Sequence, residues 1–146
     1  METRFNMQQL QPEAYKAMYA LEKYLAGTSI TKTHAELIKI RASQINGCAF
    51  CLDMHTKDAL KYGETAQRIF VLPAWRETTL YTDQERALLA LTEEVTLIHN
   101  GGVTPRTYNN VVALLGEEYC AQALMLITTI NAWNRIAIST QLQPAV

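Results

Sequence analysis

Proline and glycine are scarce in this chain of 146 residues, at four and six respectively. Their scarcity excludes collagen-like repeats, Pro-rich or Gly-rich linkers and low-complexity disorder, and leaves few points where a helix must break. Strong charge of one sign is also lacking: 13 Lys and Arg stand against 14 Asp and Glu, for a formal net charge of -1. With no basic stripe either, neither nucleic acid nor an anionic membrane surface is an expected partner. No long uninterrupted hydrophobic run occurs. The most apolar stretch, residues 119–138, contains Gln122, Asn131, Asn134 and Arg135, which argues against a membrane span. Met1-Glu2-Thr3-Arg4 lacks the charged-then-apolar layout of a signal peptide. Three cysteines, two of them in a tight pair, do not make a secreted disulfide framework, so a cytoplasmic location is expected. β-branched runs with period-two alternation are missing, which removes the usual strand signal.

What is present is helical. Apolar residues make up 49% of the chain, enough for a core without staples, and one domain spanning residues 1–146 is expected. Pro12 suits a first helical turn, and Ala14, Ala17, Met18, Leu21 and Leu25 form a stripe that ends at Gly27. Thr33-His34-Ala35-Glu36 reads as a capping box opening a second helix to about Asn46. After Gly47 a third helix runs to Gly63, and a short one from Glu64 to Leu72 stops at Pro73. Thr82-Asp83-Gln84-Glu85 is another capping box, followed by Ala87, Leu88, Leu91, Val95 and Ile98. Asn100-Gly101-Gly102 ends that helix, Thr104-Pro105 opens the next, Gly116 stops it, and a long final helix reaches about Thr140. The expected fold is all-α, with about seven helices.

Cys48-Ala49-Phe50-Cys51-Leu52-Asp53-Met54-His55 carries the chemistry. On a helix, at roughly 100° per residue, Cys51 lies about 60° from Cys48 and His55 about 20° from it. Gly47 lets the chain turn so that Cys48 falls in a first turn, where unsatisfied N–H groups and the macrodipole favour a thiolate. His55 is the i+4 neighbour of Cys51 and within reach of its proton. One thiolate with a second thiol beside it is the minimum set for two-electron redox chemistry: peroxide oxidises one sulfur to a sulfenic acid, and the other condenses with it. Glu36, on the preceding helix, is placed to orient His55, although a capping-box carboxylate explains the same residue.

Two other uses of the pair stand beside this one. Free cysteines are often buried as small apolar side chains. A zinc site would need further ligands, and Cys120, His34 and His99 are isolated in sequence, so no metal is expected. A further alternative is a non-enzymatic helical oligomer, redox-responsive or metal-binding, in which the pair only switches the assembly or holds zinc. Cys120 itself reads as a core thiol.

Ile45-Asn46-Gly47-Cys48-Ala49-Phe50-Cys51-Leu52-Asp53-Met54-His55, with Glu36 twelve residues before Cys48, resembles the core of the alkylhydroperoxidase D-like (AhpD-like) proteins of the carboxymuconolactone decarboxylase superfamily. Residues 37–44, Tyr81 to Ala87 and Ile130 to Arg135 extend the resemblance over about residues 10 to 140. It implies a helical fold, assembly into trimers or hexamers, and thiol-dependent reduction of hydroperoxides without a bound cofactor. By that resemblance Cys51 is the peroxidatic cysteine, His55 and Glu36 form its proton relay, and Cys48 is the more accessible resolving thiol that meets a dithiol reductant such as a dihydrolipoyl protein. One position departs from the pattern. The best-studied peroxidase type has a second histidine immediately before the second cysteine, where this chain has Phe50, so a relay of two imidazoles is not available. The decarboxylases of the superfamily do not rely on such a pair, which points away from decarboxylation.

Asn131, Asn134 and Arg135 share a face of an otherwise apolar helix and need hydrogen-bond partners, in the core or across a subunit interface. Trp75 and Trp133 suit either core packing or a pocket wall. The run from Ala123 to Ile127 exceeds what one helix face requires, which argues for a homo-oligomer.

Overall fold

The computed structural model describes residues 2–144. It is all-helical, with eight α-helices and no strand among the described residues. Seven follow the expected order: α2 (Pro12–Ala26), α3 (Lys32–Asn46), α4 (Ala49–Lys61), α5 (Ala66–Val71), α6 (Asp83–Thr96), α7 (Pro105–Leu115) and α8 (Glu117–Thr140). The eighth, α1 (Met7–Leu10), is one turn capped by Asn6, too short for any apolar periodicity to announce it. Two 3-10 segments, Leu72–Glu77 and Ile98–Asn100, link the longer elements.

Local chemistry explains the boundaries. The capping box at Thr82 and Glu85 forms with both hydrogen bonds in place. The one expected at Thr33 and Glu36 does not. Thr31 is the N-cap of α3, its hydroxyl accepting from the His34 N–H at 3.2 Å, so Glu36 lies a full turn inside the helix and is free for another task. Thr65 similarly caps α5, which starts two residues later than Glu64.

α3 is the central helix and packs against α4, α6 and α8. One apolar cluster joins α3, α6, α7 and α8 through Ile38, Leu88, Leu91, Val111, Ala123 and Ile127. A second lies under α5 and the first 3-10 segment and includes Leu37, Ile40, Leu72, Trp75 and Leu89. Fully buried side chains such as Ile38 and Leu89 each contribute about 1.5–3 kcal/mol of transfer free energy. α2 is more superficial: of its expected stripe Leu25 alone is buried, Met18 and Leu21 are half-buried, and Ala14 and Ala17 are exposed. No single helix among the described residues is long and apolar enough to cross a membrane.

Candidate active site

The α3–α4 junction places the cysteines. Gly47 adopts φ 72°, a left-handed conformation that glycine takes without a Cβ penalty. The Gly47 N–H then donates to Gln44 O at 3.3 Å and the Cys48 N–H to Ser43 O at 3.0 Å, closing α3. Cys48 becomes the N-cap of α4, its Sγ accepting from the Cys51 N–H at 3.3 Å. Cys48 and Cys51 are joined as a disulfide with Cα atoms 5.3 Å apart.

A buried polar network pins this junction to α8. Asn46 Nδ2 donates to Asn131 Oδ1 and Asn134 Oδ1, both at 2.9 Å. Asn134 Nδ2 donates to Ser43 Oγ, and Asn131 Nδ2 to Thr96 Oγ1, each at 3.0 Å. Arg135 Nη1 donates to Asn131 Oδ1 at 2.9 Å. Asn131 and Asn134 thus find their partners within the one chain, while Arg135 is exposed, and no buried side-chain N or O among the described residues lacks a partner.

His55 lies one turn beyond Cys51 on α4. Its Nδ1 is 2.9 Å from Glu36 Oε2, and both residues are buried. An ionised carboxylate only accepts, so Nδ1 is the donor, and in the neutral imidazole Nε2 is then the acceptor. Glu36 and His55 are 19 residues apart and meet because α4 folds back along α3.

Cys51 and His55 line a cavity of about 500 Å³. Phe50 and Met54 of α4, Tyr15 and Tyr19 of α2, and Ile130, Trp133 and Ile136 of α8 form its apolar walls. The N-terminal segment adds Phe5 and Met7, held in place by hydrogen bonds from Arg4 to Thr140 O and Ser139 O. Cys48 does not line this cavity and is 1% exposed against 2% for Cys51. The greater accessibility that the resemblance implied for Cys48 is therefore not seen: as the N-cap, it sits at the base of a small cluster with Cys51 and Ala137, against which Phe50 and Leu142 pack.

Of the remaining candidates, Trp133 alone reaches the site. Trp133 is a cavity wall, its Nε1 donating to Glu22 at 2.9 Å, whereas Trp75 is a core residue bonded to Glu93. Cys120 is buried in the main core, where burial pushes its thiol pKa up and makes it inert. His34 contacts the Tyr119 hydroxyl at 2.6 Å. Among the described residues no three His, Cys, Asp or Glu side chains are grouped to hold a metal ion. Two contributors went unrecognised in the sequence: Lys39, which reaches Glu36 and the cavity, and the N-terminal wall at residues 3–8. Lys39 had a signal in its three-residue spacing from Glu36; the N-terminal segment had none.

A helical dithiol protein of AhpD-like fold is the class that these features define. The chain belongs to the carboxymuconolactone decarboxylase family, whose model matches residues 12–94. It is 47% identical over 139 residues to the uncharacterized protein YdfG of Bacillus subtilis (strain 168), covering 95% of each chain. A protein of unknown function from Agrobacterium tumefaciens, named as a candidate antioxidant defence protein AhpD, superposes with a TM-score of 0.96 at 41% identity over 99% of each chain. The debrominase Bmp8, solved with 2,3,4-tribromopyrrole, has the same fold: TM-score 0.84 at 16% identity, over 95% of this chain and 74% of its own.

Proposed function

We propose that the protein is a thiol-dependent peroxidase that reduces hydroperoxides by cycling between the Cys48/Cys51 dithiol and its disulfide. The observation that carries this reading is the placement of Cys51 on a cavity beside an imidazole whose other nitrogen is held by a buried carboxylate. In the reduced protein His55 Nε2 takes the Cys51 proton. The thiolate attacks the distal oxygen of ROOH, the O–O bond breaks, and RO⁻ leaves as ROH with the proton from His55. Cys51 is now a sulfenic acid. Cys48 attacks its sulfur, water leaves, and the disulfide forms. A dithiol reductant, such as a dihydrolipoyl protein, returns two electrons and two protons.

Phe50 cannot move protons, so the relay runs through His55 and Glu36 alone, with one imidazole fewer than the two-histidine type. The reading also takes the chain as one domain acting in the cytoplasm as a homo-oligomer, a trimer or hexamer. Large apolar side chains left exposed on the single chain, such as Phe70 at 78% and Leu10 at 61%, support assembly.

A peroxidase assay over several hydroperoxides and dithiols tests the proposal. Wild type is expected to turn over, Cys51→Ser to be inactive, and Cys48→Ser to stop as a sulfenic acid or mixed disulfide detectable by mass. Normal turnover by Cys51→Ser would sink the assignment. A change of assembly on oxidation without turnover would favour a redox-responsive oligomer instead.

A further inference from the structure

The two oxygens of Glu36 have different partners. Oε2 accepts from His55 Nδ1 at 2.9 Å, and Oε1 accepts from Lys39 Nζ at 3.3 Å, one turn further along α3. Glu36 is 5% exposed, and the Lys39 side chain retains 16% exposure. Lys39 also stands between two cavities. It lines the one that holds Cys51 and His55, and it lines a smaller one of about 210 Å³ to which Glu36 is open. An ammonium reached by two openings stays hydrated and charged, while its stem packs beside the carboxylate.

We propose that Lys39 is a positioning residue for proton transfer from Cys51 to His55: its ammonium holds Glu36 ionised and His55 neutral, with Nε2 free to accept. The role in turnover rests on the peroxidase reading, but the proton equilibrium belongs to the reduced protein whatever its oxidant. Charge counting gives the direction. Lys39⁺, Glu36⁻ and neutral His55 sum to zero. Without the cation, the same buried groups carry an uncompensated negative charge, which His55 or Glu36 relieves by binding a proton. Either uptake disables the base, so the Cys51 thiolate forms only at higher pH.

Among the described residues that line the two cavities, Lys32, at the smaller one, is the other lysine, and no hydrogen bond or ion pair joins it to Glu36. Glu22 of α2 and Asp58 of α4, which line the same cavity as Lys39, are acidic, and Tyr15, Tyr19 and Tyr62 bring no positive charge. Lys32 lies over the Tyr62 ring, 4.6 Å from its centroid. From α6, Glu93 is engaged by Arg41 and Arg76, and α8 presents no titratable side chain to either cavity among the described residues.

The test is the pH dependence of Cys51 alkylation by iodoacetamide in reduced Cys48→Ser protein, followed by mass spectrometry of the Cys51 peptide. Lys39→Met is expected to raise the midpoint by about 0.5–1 pH unit, which is roughly a 3- to 10-fold slower reaction below both midpoints. Lys39→Arg is expected to keep the parental midpoint. A merely structural role would lower the melting temperature without moving the midpoint. If Lys39→Met fails to fold, Lys39→Gln is read in the same way. An unmoved midpoint in the neutral variant, or an equal displacement in Lys39→Arg, overturns the proposal. Absence of hydroperoxide turnover in the unsubstituted protein, with the alkylation shift present, would remove the peroxidase reading and leave the role of Lys39 in place.

Discussion

Glu36 has alternatives that its position in the chain does not separate: a helix cap, a surface charge, or a partner for His55. The cap went to Thr31 because that residue has the extended backbone an N-cap needs, and Glu36 was left inside the helix, facing α4. In the proposed mechanism its carboxylate selects the tautomer of His55 by accepting from Nδ1, and carries the charge that faces the imidazole when it takes a proton. Glu36→Gln keeps the size and an acceptor but removes the charge, so reaction of reduced protein with hydroperoxide is expected to slow by about 10²-fold, as measured by stopped-flow under single turnover. An unchanged rate in a folded variant would mean that the pair is structural. Cys48, Cys51 and His55 were readable as one cluster because their helical spacing sets one face, whereas Glu36 rested on the family resemblance, its position alone serving equally as a cap. Lys39 was less readable, since a Glu–Lys pair three apart on any exposed helix gives the same signal. The cavity wall from residues 3–8 had no signal, being neither periodic nor capped until α1.

At the scale of the element, the α3–α4 junction is where local backbone chemistry becomes site geometry. Gly47 ends one helix in the left-handed region, and that single residue both stops α3 and delivers Cys48 to the N-cap of α4. A Cβ built on Gly47 meets nothing within 4 Å, so the penalty for substitution is conformational alone. Gly47→Ala is expected to destabilise by about 1–2 kcal/mol, and Gly47→Asn by less, because Asn tolerates the left-handed region. Urea unfolding at constant m-value checks both, and an equal cost for Ala and Asn would mean that strain is not the cause. Glycines, prolines and capping residues made most helix boundaries readable. The start of α3 was misplaced by two residues because Thr31 and Thr33 are both competent caps. Only the Ile30 and Tyr119 side of the fold, where Tyr119 OH accepts from the Thr31 N–H at 3.2 Å, selects between them.

For the whole molecule, two carboxylates fasten the periphery to the centre. Glu85 binds Arg68 of α5 with oxygens at 2.6 and 3.2 Å, and Glu64 adds two further bonds to the same guanidinium. Glu93 of α6 accepts from Arg41 of α3 and from Trp75 Nε1, both at 2.9 Å, and from Arg76 at 2.5 Å. For each glutamate burial alone would raise the pKa. The Arg68 guanidinium and the Thr82 N–H outweigh it at Glu85, and Trp75, Arg76 and Arg41 outweigh it at Glu93, so both stay below their ordinary value of 4.5. A carboxylate with a depressed native pKa binds fewer protons folded than unfolded, so its stabilisation is complete above the unfolded value and drains away as pH falls through the native one. The melting temperature is therefore expected to hold near neutrality and to decline progressively below about pH 4.5. Glu93→Gln leaves Arg41 and Arg76 without their anion, which lowers stability near neutrality by about 1–3 kcal/mol. It also removes one of the groups that acid must titrate, so the gap between variant and wild type should close as pH falls. A gap that stays constant from neutrality into the acid range would show that Glu93 acts through packing rather than through its charge.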